Sequence, residues 1–279
     1  MAYQVHSETK IGRVHLTVTD LARSIAFYTE RLGLHVFDRN DDGTLLGVDK
    51  RVLLALTENL YARPPGRTTG LFHFAILVPT RRDLAHALRR LVEKGTLLQG
   101  FADHRVSEAI YLADPDGNGI EIYRDRPRDE WEFRGEEVVM ATDPLDVDGL
   151  LAEADGPPSL EIPQGTVMGH VHLKVRDIPQ AEAFNSGLLG FALMARYGDR
   201  ASFVSAGGYH HHVGLNTWSS AGAPPPPENS TGLRHFEILS PEPDVLAGRL
   251  RDARVVVDET LGGYLARDPS QNSILISAL

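Results

Sequence analysis

Residues 14–20 read VHLTVTD, and nearly the same pattern returns at residues 171–177 as VHLKVRD. Two further stretches recur in the same order, GLFHFAIL at 70–77 as GLRHFEIL at 232–239, and DPDGNGIEIY at 114–123 as DPSQNSILIS at 268–277. The three offsets are 157, 162 and 154 residues. Such self-similarity indicates that the second half of the chain duplicates the first.

Each repeated strand pattern is followed by a helical pattern and then by short strands. Apolar side chains recur at helical spacing over residues 21–32 and again over residues 81–93. This unit of strand, helix and strands occurs four times. We place the four units at residues 11–60, 68–126, 166–220 and 231–279, with an acidic interdomain connection at residues 127–165. Because one unit cannot bury both faces of its small sheet, we expect units to pair into cups, whose concave faces are natural binding sites.

The composition narrows the classes of protein and site that the chain can form. With 279 residues it is long enough for two domains. Its 38 acidic residues exceed its 28 basic ones, and the formal charge of -10 would repel a nucleic-acid backbone. It has no cysteine and 12 histidines, so a bound metal must be held by histidine and carboxylate. No apolar run reaches the roughly 20 residues that span a bilayer, so we expect a cytoplasmic protein without a membrane partner.

Four stretches together carry a resemblance to a known family: LFHFAIL (71–77), DHRVSEAIYLADPDGNGIEIY (103–123), MGHVHLKV (168–175) and SAGGYHHHVGLN (205–216). In them the chain resembles the vicinal oxygen chelate superfamily of glyoxalases, bleomycin resistance proteins and extradiol dioxygenases. It is most similar there to the two-domain ring-cleaving dioxygenases of the bacterial catechol 2,3-dioxygenase type. The resemblance runs from Ile11 to the end of the chain. It implies an α+β fold in which four βαβββ modules pair into two cup-shaped domains.

The resemblance also implies a metal site. The family takes one histidine from the first strand of each of two paired modules and a glutamate from the last strand of one of them. At the histidine position on the first strands of modules one to four, this sequence has Arg13, His73, His170 and His235. At the glutamate position on the last strands of modules two and four, it has Glu121 and Leu275. Only modules two and three together supply both histidines and the acid. The resemblance therefore assigns His73, Glu121 and His170 as ligands, and predicts that module two pairs with module three and module one with module four.

Taken singly, these three residues also fit structural roles. His73 lies in an apolar run, where a hydrogen-bonded core histidine is common. Glu121 could point at water from an edge strand, and His170 could be a polar residue at the start of a strand. Together, two neutral imidazoles and one carboxylate would occupy one face of an octahedral divalent iron and leave three adjacent positions for a vicinal diol and dioxygen.

Three more residues match catalytic positions of the family. The resemblance selects His212 as the histidine beside the oxygen-binding position, with an acid/base role. It selects Tyr111, ten residues before Glu121, as the tyrosine that hydrogen-bonds the substrate's metal-bound oxygen, and His104 as a second histidine near the ring oxygens. A solvated histidine cluster and a core tyrosine are the structural alternatives.

The remaining histidines of the motifs receive no definite role from the sequence. His172 is expected to share a cup with His170, where it either supports the ligands or is structural. The same choice stays open for His210 and His211. His15 and His235 are expected to be structural residues of the other cup.

The function implied by the resemblance is Fe(II)-dependent extradiol cleavage, with Mn(II) as the other candidate ion. The substrates would be dioxygen and a small aromatic diol of the catechol type, as in aromatic hydrocarbon catabolism, and the product a muconic semialdehyde. A metal-dependent lyase or isomerase of the glyoxalase kind and a non-enzymatic small-molecule binding protein are the alternatives. The sequence leaves open the ring substituents and the oligomeric state, a homo-oligomer included.

Overall fold

The computed structural model describes residues 3–40, 43–156 and 159–279. The strands before residue 130, numbered β1 to β8, are Lys10–Val18, His35–Asn40, Gly43–Val48, Arg51–Glu58, Gly70–Leu77, Leu98–Asp103, Ser107–Ala113 and Gly119–Asp125. The later strands, numbered β9 to β18, are Phe133–Arg134, Glu137–Val138, Val167–Lys174, Ala192–Tyr197, Ala201–Ser205, Val213–Asn216, Gly232–Ser240, Val257–Thr260, Gly263–Arg267 and Ser273–Ala278. Helices α1 to α5 are Leu21–Glu30, Arg81–Glu93, Val147–Ala152, Ile178–Glu182 and Pro243–Asp252, and a 3-10 turn and a π-helical turn lie at Arg128–Glu130 and Ala183–Leu188.

Two eight-stranded mixed sheets form the body of the molecule. The first sheet has the strand order β16-β17-β18-β15-β1-β4-β3-β2, and the second has the order β12-β13-β14-β11-β5-β8-β7-β6. Modules one and four therefore build the first sheet, and modules two and three build the second. This order confirms the predicted pairing of modules across the two halves of the chain. A short hairpin of β9 and β10 lies in the connection between the halves.

Helices α1 and α2 form where the apolar spacing predicts them. The side chain of Thr80 accepts a hydrogen bond from the backbone N–H of Asp83, which caps the first turn of α2. The side chain of Asp20 caps α1 in the same way. Helix α1 ends at Glu30, two residues before the predicted limit, because the chain turns at Gly33 with a left-handed φ of 78°.

The hydrophobic core lies between the helices and the sheet faces that they cover. On β11, Val171 and Leu173 are buried in this core, while the alternate residues His170 and His172 face the concave side of the second sheet. This alternation follows from the two-residue period of a strand. The fold is thus the α+β arrangement of paired modules that the resemblance implied. Across the described residues, no helix combines the length and apolar character needed to cross a membrane.

Candidate metal centre and active-site cavity

Four neighbouring strands of the second sheet place one row of side chains across its concave face. His170 on β11 lies opposite Ala75 on β5, Ala75 lies opposite Glu121 on β8, and Glu121 lies opposite Tyr111 on β7. His73, two residues before Ala75, shares this face because side chains alternate along a strand. The pairing of β5 with β11, which joins the two halves of the chain, is what brings His170 to the other residues.

The donor atoms of His73, Glu121 and His170 converge at the centre of this row. Nε2 of His73 lies 3.0 Å from Oε2 of Glu121, and Nε2 of His170 lies 3.2 Å from the same oxygen. All three residues are buried, and their donor atoms lie within 4.8 Å of one another. Nε2 of His73 is buried and, although it lies 3.0 Å from Glu121, makes no hydrogen bond of acceptable geometry. A buried nitrogen without a hydrogen bond is costly in a folded protein, and a metal ion would satisfy it.

The electrostatics of the cluster favour the protonation state that metal binding requires. Burial alone would raise the pKa of the Glu121 carboxyl, but its interactions with His170 and His73 outweigh burial and hold that pKa well below the ordinary value. Burial lowers the pKa of His170 to about 4. At neutral pH the cluster therefore offers a carboxylate and a neutral imidazole, which are the forms that bind divalent metals. The residues present fit such an ion.

A cavity of about 270 Å³ opens in front of the three donors. Its walls are mainly apolar and aromatic, and include Phe72, Met140, Phe203 and Trp218. Within the described part of the chain, no lysine or arginine lines this cavity. It is near the lower end of the roughly 300–1,000 Å³ typical of small-molecule sites, so it suits a small and largely apolar ligand.

Tyr111 and His104 form a hydrogen-bonded pair on the cavity wall. Nδ1 of His104 lies 2.6 Å from the carbonyl oxygen of Ala141. A carbonyl oxygen can only accept, so this nitrogen carries the ring proton and donates a hydrogen bond to the carbonyl. In the neutral ring Nε2 is then an acceptor, and it lies 2.6 Å from the Tyr111 hydroxyl, which donates to it. Burial, and then the charge of Glu121, raise the pKa of Tyr111 well above its ordinary value. The structure therefore brings both sequence-selected residues to the cavity, with Tyr111 as a protonated hydroxyl.

His212 does not reach this cavity, so the expectation for it is corrected. Its Nδ1 accepts a hydrogen bond from the backbone N–H of Ala206, and its ring packs against Tyr209 on the other side of the segment. His211 lines the cavity instead, with its ring centroid 4.0 Å from that of His170. The resemblance selected the neighbouring residue because the three histidines precede β14, which begins at Val213, and follow a turn at Gly207 and Gly208, so no regular strand defines which of them faces the cavity. The three consecutive histidines indicate the segment that borders the cavity. The course of the backbone decides which of them lines it.

His172 lies in the cavity beside the cluster. Its ring packs edge-on against the ring of His73, with centroids 5.0 Å apart, and burial holds its pKa well below the ordinary histidine value. His15 and His235 lie in the first sheet, where their rings contact each other at 4.9 Å. Among the described residues, the cluster in the second sheet is the one group of at least three potential ligands close enough to share an ion.

Comparisons with known proteins agree with this geometry. The sequence model of the Glyoxalase/Bleomycin resistance protein/Dioxygenase superfamily matches residues 10–122. The chain is 45% identical over 273 residues to a catechol-2,3-dioxygenase of Bacillus subtilis (strain 168), covering 95% of both proteins. It is 32% identical over 142 residues to a biphenyl-2,3-diol 1,2-dioxygenase 3 of Rhodococcus globerulus, covering 48% of this chain and 74% of that protein.

Solved structures show the same fold. The crystal structure of glyoxalase I from Zea mays superposes with a TM-score of 0.61 at 17% identity, covering 97% of this chain and 92% of that one. Such a distant likeness speaks for the fold alone, and fold does not by itself fix function. The full-length similarity to a dioxygenase does not favour the lyase or the binding-protein alternative. The chain therefore belongs to the Glyoxalase/Bleomycin resistance protein/Dioxygenase superfamily, as an oxidoreductase of its dioxygenase branch.

Proposed function

We propose that the protein is an Fe(II)-dependent extradiol dioxygenase that opens the ring of a catechol beside its two hydroxyl groups. The observation that carries the proposal is the buried convergence of His73, Glu121 and His170 beside a cavity of small-molecule size. Two histidines and one carboxylate with open positions are the donor set of non-haem Fe(II) oxygenases, and Mn(II) is compatible with the same donors. The relatives with dioxygenase names support the same reaction class.

Modules two and three, at residues 68–126 and 166–220, form the metal-binding half in this proposal. His73, Glu121 and His170 would hold the ion, and the connection at residues 127–165 contributes Met140 to the cavity wall. When bound, Fe(II) would act as a Lewis acid toward the two diol oxygens and would supply electrons to dioxygen.

The other cavity residues handle protons and orient the substrate. His211 accepts a proton from the diol and later returns one, because its ring lines the cavity and burial keeps it neutral by lowering its pKa. On substrate binding the Tyr111 hydroxyl turns its single proton from Nε2 of His104 to the substrate oxygen that becomes a ketone, and donates its hydrogen bond there instead. The surrounding aromatic wall excludes water from the reacting ring.

The cavity also supports a substrate class. A volume of about 270 Å³ suits a single aromatic ring with a small substituent rather than a drug-sized ligand. A carboxylate on that substituent would be buried without a lysine or arginine partner among the described lining residues, and burying an unpaired charge costs several kcal/mol. The substrate we propose is therefore a neutral, single-ring catechol with hydrogen or a small alkyl group on the ring.

Anaerobic loading with Fe(II), followed by catechol and air, tests the reaction. We expect oxygen uptake equal to product formed, together with the visible absorbance of a yellow semialdehyde. The His73→Ala variant should lose both signals. The matched control is His235→Ala, which changes the duplicated histidine of module four in the first sheet and should keep them. Iron-loaded protein that consumes no oxygen with catechol or any simple alkylcatechol would contradict the proposed reaction.

A further inference from the structure

A line of hydrogen-bonded side chains leads from the end of β8 to the cavity. Oδ1 of Asp125, the last residue of that strand, lies 3.0 Å from Nε2 of His210. Nδ1 of His210 lies 2.7 Å from Nδ1 of His211. His210 is completely buried and lies behind the cavity, whereas His211 lines it. Each histidine thus meets its neighbour through one defined ring nitrogen.

These contacts determine which nitrogen of each ring carries the proton. An ionised aspartate can only accept, so Nε2 of His210 carries the proton of its bond to Asp125. In a neutral His210 the other nitrogen, Nδ1, is then an acceptor, and Nδ1 of His211 must donate to it. His211 is left with an unprotonated Nε2, the ring nitrogen that His210 does not engage. The second bond of a histidine commonly sets its tautomer in this way.

The packing around His210 holds its ring in the orientation that the two bonds need. The ring of Tyr209 lies along it, with centroids 4.0 Å apart, and Trp131 packs at 5.4 Å. The Tyr209 hydroxyl also donates to Asp125, at 3.1 Å, and it lies 2.7 Å from the hydroxyl of Tyr123. Asp125 therefore receives two hydrogen bonds on one oxygen, which fixes the carboxylate as well as the imidazole.

We propose that Asp125 and His210 are positioning residues that hold His211 in the tautomer with Nδ1 protonated and Nε2 free to accept a proton in the cavity. Neither residue touches the cavity, so both act through His211. The consequence for catalysis rests on the proposed function, because it assumes that His211 handles substrate protons. The tautomer itself does not, since it follows from the hydrogen bonds of a neutral His210.

Nitrogen-15 spectroscopy of the full-length, metal-free protein tests the tautomer directly. Long-range proton–nitrogen spectra distinguish protonated from unprotonated ring nitrogens, and the His211 signals are assigned by their loss in His211→Asn. We expect Nδ1 of His211 to be protonated and Nε2 unprotonated in the unsubstituted chain. The opposite assignment, or an even mixture of the two tautomers, would overturn the proposal.

Variants then separate positioning from simple packing. His210→Phe keeps a ring against Tyr209 but removes both hydrogen bonds, so His211 should become a mixture of tautomers. In the iron-loaded enzyme kcat should fall in proportion to the share of His211 that no longer has a free Nε2, about twofold for an even mixture, while KM stays unchanged, because general base catalysis is weakened and substrate contacts remain. His210→Asn, whose amide oxygen can accept from Nδ1 of His211, should restore the tautomer and much of kcat. An unchanged tautomer in His210→Phe would contradict the proposal.

The matched control is His212→Asn, which changes the adjacent histidine outside the cavity and keeps an acceptor for the Ala206 N–H. It should leave the His211 spectrum and kcat unchanged. If no variant or parent protein cleaves catechols while the tautomer is as expected, the proposed function fails and the positioning role stands. If catechols are cleaved but His211 has the opposite tautomer, the positioning role fails alone.

Discussion

At the scale of single residues, Ala75 explains how the cluster can leave room for an ion. It is fully buried and lies in register between His170 and Glu121 on neighbouring strands. Its methyl group is short, so it takes up less of this row than a longer side chain would. Protein interiors are close-packed, so even one added methylene group changes the packing and the stability.

Replacing this alanine should therefore weaken metal binding. In Ala75→Leu the larger side chain enters the space between the donors, and we expect the affinity for Fe(II) to fall at least about tenfold, with a stability loss of about 1–3 kcal/mol from overpacking. Ala55→Leu, at an equally buried alanine of the first sheet, should cost similar stability and keep the metal. Calorimetric titration with Fe(II) under nitrogen measures both, and equal affinity in the two variants would refute this role of Ala75.

His15 gives the protein a pH-dependent stability that is separate from the metal centre. Burial, with smaller effects of His235 and Arg234, lowers its pKa to about 3. In the unfolded chain a histidine titrates near pH 6.5. Below that pH the unfolded state therefore binds a proton at this residue that the folded state does not bind. The free energy of unfolding should therefore fall as the pH drops from about 6.5 toward 3, by about 2 kcal/mol at pH 5 from this residue.

Urea unfolding of the metal-free protein near pH 7.5 and pH 5 measures this effect. In His15→Asn the difference in unfolding free energy between the two pH values should be smaller by about 2 kcal/mol. His15 accepts or donates one hydrogen bond with Thr57, at 2.8 Å, so some loss of stability at both pH values is expected as well. A pH difference identical to that of the parent protein would show that His15 does not carry it.

At the scale of elements, the site depends on how closely β5 and β8 approach. Gly119 opens β8 opposite His73, and a Cβ atom there would overlap the backbone carbonyl of Phe72 on β5. Glycine is needed at that point because the obstacle is backbone, which cannot rotate away as a side chain can. The separation of these two strands in turn fixes the distance between His73 and Glu121.

Gly119→Ala should force the two strands apart. We expect a loss of about 1–3 kcal/mol in unfolding free energy and weaker Fe(II) binding, because Glu121 would move relative to His73. Gly100→Ala on β6 provides the control, since a Cβ atom at Gly100 meets open space. That variant should stay within about 0.5 kcal/mol of the parent in urea unfolding. Equal stabilities for the two variants would argue against close strand approach at Gly119.

At the scale of the whole molecule, the duplicated halves exchange modules instead of folding side by side. Strands β5 and β11 pair across the halves in the second sheet, and β1 and β15 pair across them in the first. Module one also contacts module two directly, because the buried hydroxyl of Tyr28 on α1 donates to Asp114, at 2.8 Å. Each sheet is therefore incomplete unless both halves are present.

Separate production of residues 1–156 and 157–279 tests this dependence. The first half carries His73 and Glu121 and the second carries His170, so neither should bind Fe(II) with the parent affinity. Each would also expose an unpaired strand edge, which favours aggregation or self-association. Mixing or co-expressing the halves should restore one metal site per pair, measured by metal analysis after gel filtration. A first half that binds iron as tightly as the intact chain would rule out the shared site.

The sequence by itself determined the duplication, the α+β modules and the helices at α1 and α2, and its family resemblance selected His73, Glu121 and His170, which the structure brings together. These features are periodic or follow a family motif, and both periodicity and motifs can be read from the sequence alone. Only the tertiary structure decided that His211 rather than His212 lines the cavity, that Ala75 lies in register between His170 and Glu121, and that Asp125 bonds His210. The physical reason is that these relations depend on an irregular turn and on contacts between strands far apart in the chain, where neither periodicity nor local propensity specifies which side chain faces which.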